Sequence, residues 1–278
     1  MKRYGVLGYP IKHSLSPAMH NAAFKATGIE AVYEKFEIPP EDLGRFFAGL
    51  KNTNIYGLNV TIPYKERVLD FIQLDKKSLY LAKIKAVNTL VRKGEIWQGF
   101  NTDVPGFLRH LKELGFNPYG KKIAILGAGG AGRAVSYALA SNGAKGIWLF
   151  DLDKTKALSV ARMVKELFVN FYVDVVDTIT DLDIPNKDAL INATPLGLNP
   201  DDPSPVDKKM LHKDLFIYDL VYNPPETALL RMAKSIGASC SNGLGMLLYQ
   251  GMLSWEYWTG KPAPEHIMQE ALYNALGL

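Results

Sequence analysis

Cysteine is nearly missing from this chain. Cys240 is the single one, which excludes an internal disulfide framework, fits a reducing compartment and leaves packing as that side chain's ordinary role. Long apolar runs are missing as well. Even the stretch from Leu244 to Trp258 is broken by Gln250, Gly251, Ser254 and Glu256, short of the roughly eighteen uninterrupted apolar residues that a membrane span needs. The opening MKRYGVLGYP is basic, but Gly8 and Pro10 interrupt its apolar run, so it does not read as a secretory signal and a cytoplasmic protein with no membrane partner is expected. Charge of one sign is scarce: 32 basic and 28 acidic residues leave a scattered +4, which provides no nucleic-acid footprint. His13 and His20 have no partners at ligand spacing, so they read as surface or hydrogen-bonded histidines and no metal is expected. Repeats, heptads and low-complexity tracts do not occur. What is present, 47% hydrophobic and 22% charged residues in 278, supports a substantial core in one large or two moderate domains.

The most informative stretch is residues 121–153, KKIAILGAGGAGRAVSYALASNGAKGIWLFDLD. A short apolar run meets Gly127, Ala128, Gly129, Gly130, Ala131 and Gly132; an alanine-rich helical pattern follows to Asn142, and a second apolar run ends at Asp151. The pattern predicts strand, tight turn, helix and strand. Gly127 allows the turn, Gly129 lets the backbone approach a pyrophosphate, and Gly132 permits close packing of helix on sheet. The free N–H groups of the first helical turn then face a diphosphate. A βα turn in an α/β domain that binds nothing would show a similar glycine pattern. The acid closing the second strand favours a dinucleotide.

Around that centre the chain reads as follows. A strand over Arg3 to Leu7 stops at Gly8-Tyr9-Pro10, and a helix with Ser16 as cap and Pro17 in first position runs to Gly28. Ser14 and Ser16 lie at that helix start, where a hydroxyl faces either backbone or ligand. Strands follow over Ala31 to Ile38 and Tyr56 to Thr61, with a helix over Pro40 to Leu50 between them. Asn59 and Thr61 share one side of the extended stretch. Pro63 opens the next helix and puts Lys65 in its first turn, an unfavourable end of the helix dipole for a cation. That placement is either a tolerated surface lysine or the wall of a polar site.

After a helical region around Ser78 to Ile84, a strand over Ala86 to Val91 contains the polar Asn88, and its hairpin partner Glu95 to Phe100 leads into Asn101-Thr102-Asp103. Asp103 is either the N-cap of the helix reaching Leu114 or the acidic half of a site. From residue 154 onward, helix Lys154 to Phe168, strands Phe171 to Val176, Ala189 to Asn192 and Phe216 to Val221, and helix Glu226 to Ile236 give the alternation of a doubly wound domain. Its ligand crevice belongs at the strand ends. The stretch from Cys240 to Leu248 reads as a polar loop with Gly243 and Gly245 at its entrance, feeding an apolar helix toward Trp258 on which Gln250 is the amide. Polar candidates before residue 104 and after residue 240, with the glycine loop between, imply two lobes.

These separate polar islands together resemble the shikimate dehydrogenase family, including relatives active on quinate, over almost the whole chain. YGVLGYPIKHSLSPAMHNAAF, GLNVTIPYK, AVNTL, GFNTD, GAGGAGRA, NATPLG, DLVYNPPETALL and NGLGMLLYQG match the family's motifs in order. The resemblance implies a mixed-sheet α/β substrate domain from residues 1–102 with 238–278, whose C-terminal helices fold back, and a Rossmann-type nucleotide domain from residues 103–237. It implies reversible reduction of 3-dehydroshikimate to shikimate by hydride from NAD or NADP, with Lys65 as general acid/base and Asp103 as its partner. Ser14 and Ser16 would hold the substrate carboxylate, with Asn59, Thr61, Asn88, Tyr222 and Gln250 on the remaining substrate groups. Gly127 to Gly132, Arg133, Asp151, Thr194, Leu196, Val221, Gly243 and Met246 would line the cofactor.

The resemblance has one departure. Where most of the family carries Asn-Arg-Thr for the 2′-phosphate of NADP, this chain has Asp151, Leu152 and Asp153. An acid there suits the ribose hydroxyls of NAD and opposes a phosphate dianion, so NAD is the expected preference. Lys154, Lys156 and Arg133 lie close enough in sequence to keep NADP in play. Two other readings stay open: preference for quinate, which paired serines disfavour relative to threonine, and a nucleotide sensor without turnover. The resemblance implies a small polyhydroxy acid as substrate, and a monomer or a homodimer.

Overall fold

The computed structural model describes residues 1–74 and 80–278, which divide into two compact units, Met1–Gly106 with Leu247–Leu278 and Phe107–Met246. In chain order the first unit contains β1 (Lys2–Gly8), α1 (Ser16–Thr27), β2 (Ala31–Glu37), α2 (Leu43–Gly49), β3 (Ile55–Val60), α3 (Tyr80–Ile84), β4 (Thr89–Lys93) and β5 (Ile96–Phe100). α4 (Asp103–Glu113) leads into the second unit. That unit has β6 (Lys122–Leu126), α5 (Gly130–Ser141), β7 (Gly146–Phe150), α6 (Lys154–Leu167), β8 (Tyr172–Val175), β9 (Ala189–Asn192), β10 (Phe216–Asp219), α7 (Ala228–Ser235) and β11 (Cys240–Asn242). α8 (Leu244–Thr259) and α9 (Glu265–Leu276) complete the chain.

The first unit is a mixed sheet in the order β2-β1-β3-β4-β5. β1 pairs in parallel with β2 and β3, and β3-β4-β5 is antiparallel. Leu7, Leu58, Val60, Tyr64, Val87 and Leu90 meet in one buried cluster on this sheet. The helical return is anchored by Trp258, whose indole N–H donates to the Leu90 carbonyl at 3.0 Å. Gly57 makes room for that ring, since a Cβ there would lie 2.2 Å from Trp258 Nε1.

The second unit is an all-parallel sheet in the order β11-β10-β9-β6-β7-β8. Ile123, Ala124 and Ile125 are all fully buried, as are Leu190 and Ile191, because a parallel sheet covered on both faces needs continuous apolar runs. The chain winds outward through β6, β7 and β8, then returns to the other side of β6 as β9. That reversal is the switch point at which such sheets open a crevice beyond their C-terminal strand ends. The sequence therefore specified the fold class correctly: a mixed α/β unit and a Rossmann-type unit.

Several local expectations are corrected. Lys65 is not in a helix: Ile62-Pro63 is a cis peptide, Tyr64 N–H closes a turn on the Thr61 carbonyl at 2.9 Å, and a 3-10 helix starts only at Arg67. The dipole objection to a lysine there disappears. α1 begins at Ser16 with Leu15 as its N-cap residue and no side-chain cap, so Ser16 is not the cap. His20 is not at the surface, and among the described residues its ring nitrogens have no hydrogen-bond partner; it is fully buried and stacks on Tyr33 at 4.4 Å. Asn88 precedes β4, which starts at Thr89 and extends to Lys93, two residues beyond the Val91 end that the sequence pattern suggests. Cys240–Asn242, read as loop, pairs with β10 as an edge strand. Of the helical region read over Ser78 to Ile84, residues 80–84 are helix, and Ser78 and Leu79 fall outside the described residues.

Candidate active site and dinucleotide crevice

In the first unit, a turn residue after β3 and the first residue of α4 bring a cation and an acid together. Lys65 Nζ donates to Asp103 Oδ2 at 2.6 Å, and the two side chains are only 13% and 7% exposed. Asn88 Nδ2 donates to the other carboxylate oxygen at 2.9 Å. Asn101, rather than Asp103, receives the N–H of Val104 at 2.9 Å, so a neighbour serves the helix start and the Asp103 carboxylate faces Lys65.

Behind this pair is a cluster of buried hydroxyls that sequence reading did not single out. Thr89, Thr102 and Ser254 are fully buried; Thr89 Oγ1 lies 2.8 Å from Ser254 Oγ and 3.0 Å from Thr102 Oγ1. Asn88 Oδ1 accepts the Thr102 N–H at 2.6 Å, which fixes its amide orientation toward Asp103. Asn59 donates to Ser254 Oγ at 2.8 Å and accepts from Tyr33 Oη at 2.7 Å, so its amide is committed to interior partners. Gln250 Nε2 donates to the Leu247 carbonyl at 2.8 Å, and its Oε1 lies 3.4 Å from Asn88 Nδ2. Ser16 is buried, whereas Ser14 and Thr61 are half-buried; the Ser14 hydroxyl accepts the Ser16 N–H at 3.4 Å. Ser14, Ser16, Asn59, Thr61, Lys65, Asn88, Asp103 and Gln250 thus all belong to one compact unit despite their spread in sequence.

In the second unit, each glycine of the turn has its own constraint. Gly127 has φ +94°, and a Cβ on it would lie 2.8 Å from the Ala193 carbonyl carbon. A Cβ on Gly132 would lie 2.1 Å from Gly127 O, so this glycine closes the turn on itself. Gly129 faces open space within 4 Å and is the N-cap of α5, with no side chain to satisfy the first-turn N–H groups, including those of Gly130 and Ala131. An anion cradle of this kind fits a diphosphate. Ala128, buried, donates its N–H to Asp151 Oδ2 at 2.6 Å, while Asp151 Oδ1 accepts the Asp153 N–H at 2.8 Å. Leu152 is 97% exposed. The nearby cations are engaged: Lys154 with Asp177, Lys156 with Asp153 at 3.7 Å, and buried Arg133 with Ser159 Oγ at 3.0 Å.

Loops after β9 and β10 complete this face. Thr194 and Leu196 are half-buried and Val221 is buried. Gly243 allows a close approach to the Leu220 carbonyl, 2.2 Å from its Cβ position. Met246 is buried, with a backbone hydrogen bond to the Tyr218 phenol, which also meets His110 Nδ1 at 2.7 Å. Burial lowers the His110 pKa and raises that of Tyr218. Tyr222 is half-buried, and desolvation pushes its phenol up to about 12, so it is a neutral hydrogen-bonding group at ordinary pH. Among the described residues no group of three His, Cys, Asp or Glu could hold a metal ion, and no helix is long and apolar enough to cross a membrane.

A parallel sheet with a glycine cradle at its switch point, together with a buried lysine-carboxylate pair in a separate α/β unit, defines a two-unit, dinucleotide-type oxidoreductase architecture. Family models for the shikimate dehydrogenase substrate binding domain and the shikimate 5'-dehydrogenase C-terminal domain match residues 6–90 and 243–273. The shikimate dehydrogenase (NADP(+)) of Methanopyrus kandleri is 45% identical over 284 residues, covering 98% of this chain and 95% of its own. The shikimate 5-dehydrogenase of Listeria monocytogenes, solved in complex with shikimate and NAD, is 33% identical with a TM-score of 0.86, covering 98% and 96% of the two chains. The quinate dehydrogenase of Corynebacterium glutamicum, solved with NAD, is 31% identical with a TM-score of 0.88, covering 98% and 99%. The chain belongs to the shikimate/quinate dehydrogenase family.

Proposed function

We propose that this protein is a shikimate dehydrogenase, an NAD(P)-dependent enzyme that reversibly reduces 3-dehydroshikimate to shikimate. The observation that carries the reading is the Lys65–Asp103 pair, 2.6 Å apart and largely buried beside Asn88. When bound, the nicotinamide supplies or accepts the hydride. Lys65 gives its proton to the oxygen on which negative charge develops, and takes it back in the oxidative direction. Asp103 orients the Lys65 amine through Oδ2, while Asn88 keeps the carboxylate from rotating away. Ser14 and Ser16 are assigned to the substrate carboxylate, and Thr61, Asn88, Gln250 and Tyr222 to its hydroxyls. Asn59, with its amide spent on Ser254 and Tyr33, contributes by supporting the floor of the site.

The unit Met1–Gly106 with Leu247–Leu278 is assigned to substrate binding and the unit Phe107–Met246 to the dinucleotide. Gly127, Gly129, Gly130 and Gly132 with Ala128 and Ala131 form the diphosphate cradle; Arg133, Thr194, Leu196, Val221, Gly243 and Met246 surround the rest of the cofactor. NAD is the preferred cofactor in this reading. The Asp151 carboxylate has used two acceptor positions on backbone N–H groups and retains capacity for ribose hydroxyls. A phosphate dianion would face that charge, and Lys154, Lys156 and Arg133 already have partners. Residual NADP use follows from the weakness of exposed ion pairs such as those of the two lysines. A cytoplasmic setting completes the reading. The test is a steady-state assay crossing shikimate and quinate with NAD and NADP. Turnover of shikimate with NAD above the other three combinations is expected; no turnover of either acid would leave the nucleotide-sensor reading in its place.

A further inference from the structure

We propose that Asn192 and Asp219 form a positioning pair that sets the dinucleotide-facing loops of the second unit. This rests on the reading that the unit takes a nicotinamide dinucleotide. Both side chains are fully buried at the C-terminal ends of β9 and β10. Asp219 Oδ1 accepts from Asn192 Nδ2 at 2.9 Å and from the Val221 N–H at 3.1 Å, and Oδ2 accepts from Thr227 Oγ1 at 2.7 Å. Asn192 in turn donates to the Leu196 carbonyl at 3.1 Å and accepts from the N–H and hydroxyl of Thr194 at 3.1 and 2.7 Å. Thr194, Leu196 and Val221 are the residues assigned to the cofactor on these loops. All three are therefore tied, directly or through one amide, to a single carboxylate.

The arrangement is expensive for a core. Among the described residues Asp219 takes its hydrogen bonds from Asn192, Val221 and Thr227 and none from Lys, Arg or His, and burial raises its pKa against those three. Apolar residues of similar size would fill such a position without the desolvation cost. What the carboxylate provides is register. Thr227 links it to α7, whose Leu230 N–H its hydroxyl accepts at 3.3 Å. The loop it fixes also bears on the diphosphate cradle, because Ala193, between Asn192 and Thr194, sits against Gly127 with no room for a Cβ. Displacing this loop by a fraction of an ångström changes both the cofactor wall and the glycine turn, and misplacements of about 1 Å cost on the order of a hundredfold in such sites.

The experiment titrates NAD and NADP into the intact protein and into Asn192→Ala, Thr227→Val and Thr227→Ser, with steady-state kinetics and melting temperature measured in parallel. The Val and Ala variants should raise the dinucleotide Kd and KM roughly tenfold or more, with the shikimate KM unchanged. Thr227→Ser keeps the hydroxyl and should restore tight binding. Dinucleotide affinity within about twofold of the unsubstituted protein in the folded Thr227→Val variant, or equal weakening in Thr227→Ser, overturns the pair's role while leaving the enzyme assignment standing. An unsubstituted protein that binds neither dinucleotide overturns both.

Discussion

Asn88 holds the carboxylate of Asp103 from the side opposite Lys65: its Nδ2 donates to Oδ1 at 2.9 Å while the lysine occupies Oδ2 at 2.6 Å. The asparagine is itself locked, because its own carbonyl oxygen accepts the Thr102 N–H at 2.6 Å. The acid therefore has one orientation available, and the lysine is aimed by it.

Replacing Lys65 with Ala should lower kcat by about 10²- to 10⁴-fold, the usual contribution of a positioned general acid/base, with the fold retained and the melting temperature lowered because the buried Asp103 carboxylate loses its cation. Asp103→Asn should lower turnover as well, with dinucleotide affinity preserved. Near-normal kcat in Lys65→Ala with ordinary shikimate binding would remove the lysine from the chemistry.

His20 makes a prediction about acid. Its burial pushes the imidazole down to about 3 from 6.5 in the free side chain. Between those two values the folded protein keeps His20 neutral while the unfolded chain takes up a proton, so falling pH favours unfolding, by up to about 1.4 kcal/mol per pH unit. The contribution is absent above about pH 7 and greatest near pH 3. His20→Phe preserves stacking on Tyr33 and removes the titration. Denaturant melts from pH 7 to pH 4 should show a shallower loss of stability in the variant; identical slopes would mean His20 has another proton acceptor in the fold.

Two glycines of the cradle, Gly129 and Gly132, should part company. Gly132→Ala puts a methyl 2.1 Å from Gly127 O and must distort the turn, costing stability as well as dinucleotide binding. Gly129→Ala meets nothing within 4 Å, so the fold should be retained and the loss confined to cofactor affinity. Thermal melts with and without NAD separate the two outcomes.

Cofactor preference should follow residues 151 and 152. Asp151→Asn with Leu152→Arg removes the charge opposing a 2′-phosphate and adds a guanidinium fork, while an asparagine oxygen can still accept one of the two backbone N–H groups. The ratio of kcat/KM for NADP over NAD should rise by at least tenfold, an effect of about 1.4 kcal/mol. An unchanged ratio would place the discrimination elsewhere.

The parts of this molecule that were legible in sequence are those in which residue type is out of place for its element. A glycine-rich turn between two apolar runs, an acid ending the second, and polar Asn88 near a hairpin stand out because no packing reason calls for them. Thr89, Thr102 and Ser254 did not stand out, since a hydroxyl on a core face is as compatible with an ordinary satisfied side chain as with a hub between Asn59 and Asn88. Pro63 was misread because proline suits both a helix's first position and a turn. β11, three residues long, is too short to show a period at all. Asp219 carries no signal in the sequence, because its partners Asn192 and Thr227 lie 27 and 8 positions away along the chain.

The sheet of the first unit is clasped by Trp258, a residue encoded long after the strand it covers. On a ribosome releasing about 5 to 20 residues each second, the strands up to Phe100 emerge well before that indole does, while the second unit has all of its own residues by Met246. The contiguous unit can therefore finish folding first. The half-built mixed sheet must wait with its Gly57 notch empty, which makes the stretch carrying Trp258 the last part required to close it, and makes truncation there a lesion of the first unit rather than the second.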